Sequence, residues 1–157
     1  MKLVVKFGAI KKLKENIKKA FGDKYDATEM VDDILREAGK RCLAKTMERT
    51  PEDTGKLKSS WKMGDVEHRG FYNTITIENP VKYAIYVEYG HRIRPATRDQ
   101  MAYMICNGIY NPTKPKRNKD GWYEGKFMAT KSIEETREEL PEIAEEIITK
   151  KLSEILP

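Results

Sequence analysis

The longest regular pattern in the chain runs from Ala27 through Met30, Val31, Ile34, Leu35, Ala38, Cys42 and Leu43 to Met47. Apolar residues there return at helical spacing for about six turns, which predicts one long helix with a broad buried stripe. At about 1.5 Å per residue it spans about 35 Å. Asp26 or Thr28 is placed to cap its start, and Thr50-Pro51 closes it, because the residue before a proline avoids helical angles.

Shorter patterns flank this helix. Residues 2–7, KLVVKF, predict a short strand or an extended arm ended by Gly8. Ile10, Leu13, Ile17, Ala20 and Phe21 then mark an amphipathic helix whose other face is filled with lysines. Further on, Trp61 and Met63 point one way and, after a turn near His68-Arg69-Gly70, so do Ile75 and Ile77, which is the pattern of a β-hairpin. Asn79-Pro80 can start a helix and Gly90 can stop one, so residues 81–89 predict a short helix; alternating Tyr83, Ile85 and Val87 offer a strand instead. Near the C-terminal end Ala129, Ile133, Leu140, Ala144, Ile147, Ile148, Leu152 and Ile155 keep helical phase, with Pro141 expected to mark a kink or a restart. Together these elements predict an α+β fold in which a small antiparallel sheet packs against the long helix and the C-terminal helix.

Length and charge narrow the picture. A chain of 157 residues is enough for one domain, and 39% apolar against 35% charged residues leaves a modest core in a thin, extended fold. No apolar run reaches the roughly 18 residues that span a bilayer, and the apolar part of the start is too short for a signal peptide, so the expectation is a protein made in the cytosol that meets no membrane. Cys42 and Cys106 stand far apart with no CxxC pairing, which predicts two reduced and partly buried thiols rather than a zinc site or a disulfide. The net charge of +5 hides a polarised distribution: Lys and Arg against Asp and Glu number eight to two over residues 1–24, seven to one over 91–119, and four to eight over 128–157. Such polarity suits nucleic acid beside the basic parts or subunits that meet plus to minus.

Candidate chemistries fail on context. TPEDTGKLKSSW, residues 50–61, holds the Asp-Thr-Gly of an aspartic protease, but that chemistry needs a dry apolar cleft and Asp53 lies between Pro51-Glu52 and Lys56-Leu57-Lys58. A phosphate-binding loop would need glycine at position 50, where Thr50 stands, and a helix after the loop instead of before it. His68 and His91 have no second ligand at useful spacing, and no Ser or Cys lies in a nucleophile elbow. The carboxylates of SIEETREELPEIAEE read as a solvated helix face. Basic residues Arg92, Arg94, Arg98, Lys114, Lys116, Arg117 and Lys119, with Tyr103 and Tyr110, form a candidate phosphate-binding segment without a helix-turn-helix, RNP or finger pattern.

Three motifs in order, TPEDTGKLKSSW, NPVKYAIYVEYGHR and GWYEGKFMATKSIEE, resemble the tail-component family of tailed bacteriophages and phage-tail-like particles. Thr50, Pro51, Asp53, Thr54, Gly55, Lys56, Leu57, Ser60 and Trp61 match the family's helix-ending segment residue by residue. Tyr83, Ala84, Tyr86, Val87, Glu88 and Gly90 match the second signature, and Gly121, Trp122, Glu124, Gly125, Phe127 and Met128 look like the branch found with contractile tails. The resemblance covers most of residues 27–140, and residues 93–119 read as an insertion into a single tail-component domain spanning 1–157.

The resemblance implies a non-enzymatic structural protein without cofactor or metal, at the head-proximal end of a tail, completing it or joining it to a head or collar. It implies a ring of copies, expected to be six-fold, with tail tube, sheath or tail-terminator proteins as neighbours, in a virion or tail-like particle assembled in the bacterial cytoplasm. Under this reading Thr50, Pro51, Asp53, Thr54, Gly55 and Trp61 form a structural joint: proline stops the helix, Thr54-Gly55 reverses the chain, and Trp61 enters the core. Lys11, Lys12, Lys18, Lys19, Tyr86, Glu88, Arg92, Trp122 and Lys126 are the expected subunit or partner contacts, the acidic C-terminal helix of one copy meeting the basic N-terminal helix or insertion of the next. Arg94, Arg98, Lys114, Lys116, Arg117 and Lys119 are candidates for DNA in the tail lumen. The alternative is a prophage-encoded nucleic-acid-binding protein that uses the basic 91–119 segment.

Overall fold

A computed structural model describes residues 1–7, 10–22, 27–69, 72–92, 99, 106 and 121–155. In chain order its elements are β1 (Lys2–Phe7), α1 (Ile10–Phe21), α2 (Ala27–Arg49), α3 (Lys56–Ser59), β2 (Lys62–Met63), β3 (Glu67–Arg69), β4 (Tyr72–Glu78), α4 (Ala84–Tyr89), β5 (Gly90–Arg92), β6 (Trp122–Glu124) and α5 (Met128–Ile155). The fold is α+β, as the pattern predicts. No helix among the described residues is long and apolar enough to cross a membrane.

The larger sheet is antiparallel and centred on β4, with β1 on one side and β2 and β3 on the other. Its register sets Val5 against Ile75, and both Leu3 and Met63 against Ile77, so one face is apolar. That face lies against α2, where Gly39 is buried: a Cβ there would sit 2.6 Å from the sulfur of Met63 and 3.0 Å from Ile75, so only glycine allows the sheet this close. Met30, Val31, Ile34, Leu35, Ala38 and Cys42 are buried along α2, as the stripe predicts. Burial pushes the Cys42 thiol up, whereas Cys106 is exposed instead of partly buried as expected; both cysteines are free.

Along its other side α2 packs antiparallel to α5. Buried Thr46, Ser132 and Thr136 line this contact, and each hydroxyl donates to the carbonyl four residues back, at 2.7 Å. These residues carry polar side chains into the core at no cost in unpaired groups, because the helix supplies the acceptor. At the edge of the contact, cations four residues apart on α2 meet acids on α5. Arg41 pairs with Glu146, Lys45 with Glu139 and Glu135, and Arg49 with Glu135; in the reverse sense, Lys151 of α5 pairs with Asp33 of α2 at 3.2 Å. Hydrogen bonding to Arg49 holds the Glu135 carboxyl below the usual range, and Glu146 raises Arg41. Exposed pairs of this kind contribute little each to stability, so the ladder sets the register of two helices already held by apolar burial.

Three local expectations change. The short helix begins at Ala84, not at residue 81: Asn79 is buried and its side chain accepts from Val81 N at 3.0 Å and donates to Leu57 O at 2.8 Å, so it closes a turn before the helix. His68 lies in β3, with its ring 3.2 Å from Asp32, instead of in the turn. Helix α5 runs through Pro141 without a restart. Most of the segment 93–119 that reads as an insertion, residues 93–98, 100–105 and 107–119, lies outside the described residues.

Candidate functional site

The stretch at residues 50–61 is a joint. Thr50 donates its hydroxyl to Thr46 O at 2.6 Å and accepts the indole N–H of Trp61 at 2.8 Å, which ties the end of α2 to the residue that opens the sheet. Trp61 is 4% exposed. Gly55 takes φ +74°, a left-handed angle that glycine adopts without steric cost, and α3 begins directly after it. Leu57 is buried, while Pro51, Glu52, Asp53 and Thr54 are exposed, and Lys58 pairs with Glu52 at 3.3 Å. Asp53 sits in solvent in the turn, without the dry cleft that shared-proton chemistry needs.

A second joint closes between the two later motifs. Helix α5 has no acid in its own first turn. Glu88, from α4, supplies one: its carboxyl is fully buried and accepts Ala129 N at 3.1 Å, Thr130 N at 2.8 Å and the Thr130 hydroxyl at 2.7 Å. An acceptor at this position satisfies amides that a helix start leaves unpaired. Backbone meets backbone beside it, with Lys126 N on Val87 O at 2.8 Å and Phe127 N on Glu88 O at 3.0 Å. A Cβ on Gly90 would lie 2.2 Å from Tyr123 O, and one on Gly125 2.3 Å from Glu88 O. Gly90 has φ +81° and Phe127 has φ +50°, so the knot holds a bulky residue in a left-handed conformation that costs about 1 kcal/mol or more.

What the knot presents outward is aromatic. Phe127 meets Tyr89 edge-on at 6.4 Å, His91 stacks on Tyr123 at 5.6 Å, and Tyr86 meets His91 edge-on at 5.6 Å. Tyr83, Ile85, Tyr86, Tyr89, Trp122 and Phe127 are all large and exposed, with Tyr86 the most open at 55%. Lys82, Arg92 and Lys126 are exposed at the same motifs and outnumber Glu124. A fixed backbone that carries Tyr, Trp, Phe and Arg on its surface has the composition of a protein-binding patch.

Of the expected contact residues, Tyr86, Arg92, Trp122 and Lys126 come together here. Glu88 does not join them at the surface; its carboxyl works inside the chain. Lys18 and Lys19 are exposed on α1, and the side chains of Lys11 and Lys12 lie outside the described residues. Arg94, Arg98, Lys114, Lys116, Arg117 and Lys119 also lie outside them. Sequence reasoning missed Ile85 and Tyr89 as surface residues, since apolar side chains in a short helix read as core, and missed Phe127, which stands just before α5. Among the described residues no cluster of three His, Cys, Asp or Glu side chains could hold a metal ion.

A family model described as "Bacteriophage HK97-gp10, putative tail-component" matches residues 11–90, just over half of the chain. The match contains the first joint and the second motif through Gly90, and the third motif lies beyond it. No curated protein and no solved structure matches the chain. The matched segment holds α1, α2, the joint, the larger sheet after β1, and α4, and the chain belongs to the HK97-gp10-like family of bacteriophage tail components.

Proposed function

We propose that this tail component is a non-enzymatic structural protein at the head-proximal end of a phage tail or tail-like particle, where copies form a ring that completes the tail or joins it to the head or collar. The observation that carries this reading is the exposed aromatic surface on the knot of α4, β5, β6 and the start of α5. A closed ring needs a heterologous contact, and a rigid apolar patch with a basic margin supplies one half of it. Six copies, tube, sheath or terminator proteins as neighbours, and a contractile tail are the finer parts of the proposal, as are residence in the virion and assembly in the bacterial cytoplasm.

Removal of the gene from a producing strain tests it. The expected result is separate heads and tails, or tails of irregular length, restored by the wild-type gene on a plasmid. Normal yields of intact particles in the deletion strain would overturn it.

A further inference from the structure

The acids of α5 fall into two stripes. Glu135, Glu139 and Glu146 face α2 and pair with its cations, as described above. Glu134, Glu138 and Glu145 are exposed on the other side of the helix, away from buried Thr136 and Ile143, whereas exposed Glu142 is in helical phase with Glu135, Glu139 and Glu146. Pro141 lies within this outer stripe and is exposed. A proline inside a helix brings no N–H to the hydrogen-bond ladder and costs about 3 kcal/mol. Nothing in the packing of α5 on α2 uses it, since it faces away from that contact.

Resting on the ring reading, we infer that the outer stripe of α5, with Pro141 at its centre, is the occupant of the aromatic patch on the next copy of this chain. The two surfaces complement each other. One is acidic around an exposed pyrrolidine ring, and the other is basic, through Lys82, Arg92 and Lys126, around exposed tyrosines and a tryptophan. An exposed proline ring is an apolar surface with no side-chain rotamer freedom to lose, so its burial against aromatic rings carries little entropic cost. Both surfaces are firmly held, the first by the α2 ladder and the second by the Glu88 knot, so little is lost in ordering them. They are also separate on the chain: Glu138 stands about 16 Å along the helix from Phe127, from a rise of about 1.5 Å per residue. A patch and its complement on different parts of one subunit make a contact that repeats by rotation instead of closing as a two-fold dimer.

The test uses two charge-reversed variants of the whole chain, Glu138→Lys/Glu145→Lys and Arg92→Glu/Lys126→Glu, with assembly read by light scattering after size exclusion. Each alone sets like charges face to face and is expected to lose the oligomer seen for the wild type; mixed one to one, each surface meets its complement and the oligomer returns. Recovery on mixing also shows that both variants fold. Pro141→Ala adds a separate reading, since it is expected to raise the melting temperature of the monomer while weakening assembly. Oligomers from either charge variant alone, or no recovery on mixing, would overturn this contact and leave the ring standing. Recovery of the α5 variant by Lys18→Glu/Lys19→Glu instead would move the contact to α1 and also overturn it. A wild-type chain that stays monomeric would overturn the ring and the contact together.

Discussion

The chain has two tryptophans, each at a tight joint, and they sit in opposite settings. Trp61 is 4% exposed and gives its N–H to Thr50; Trp122 is 41% exposed, beside Arg92 and Lys126. The first joint turns its aromatic inward and leaves its acids, Glu52 and Asp53, in water. The second does the reverse, burying its acid, Glu88, and leaving its aromatics in water. A buried aromatic and exposed carboxylates serve stability and solubility, which is what a connection within one chain requires. A buried carboxyl that fixes the backbone beneath exposed rings makes a rigid surface, which suits the connection between chains proposed above.

The sharpest way to break this comparison is to truncate each tryptophan. Trp61→Ala is expected to cost about 4 kcal/mol in urea unfolding, through the cavity and the lost hydrogen bond, against about 1 kcal/mol for Trp122→Ala. Equal costs would place Trp122 in the core and rule out the surface contact proposed for it. The glycines separate the joints next. Gly90→Ala forces a Cβ into Tyr123 O and is expected to cost about 3 kcal/mol, whereas Gly55→Ala, with open space around it, costs only the left-handed angle, about 1 kcal/mol.

Glu88→Gln keeps the shape but turns an amide toward amide donors, and a loss of about 2 kcal/mol is expected from the same unfolding curves. An unchanged midpoint would mean that α5 does not depend on this acceptor. The smallest effect belongs to Asp53→Asn, within about 0.5 kcal/mol and without change in any peptide-cleaving assay. Loss of a measurable cleavage activity would restore the protease reading of Asp-Thr-Gly.

What could be read in advance follows from the physics of each part. Helix α2 was legible because a broad apolar stripe at 3.6-residue spacing has few competing explanations, and the joint was legible because proline and glycine restrict the backbone locally. The ladder to α5 was not, since Glu135, Glu139 and Glu146 look like any solvated carboxylates until Arg41, Lys45 and Arg49 are brought alongside them. Thr46, Ser132 and Thr136 read as polar, yet they are buried because they bond to their own helices. The knot was the least visible. Glu88 reaches Thr130 across 42 positions, and Gly90 meets Gly125 backbone to backbone, so neither contact leaves a periodic trace. The motifs marked where the knot lies, but not that one of its acids faces inward.

The most direct test is affinity capture of the tagged chain from induced producer cells, with mass spectrometry and negative-stain imaging of the captured material. Tube and sheath proteins, with the tag labelled at the head-proximal end of each tail, are the predicted result. Capture of nucleic acid without particle proteins would contradict it and turn attention to the basic segment at 91–119.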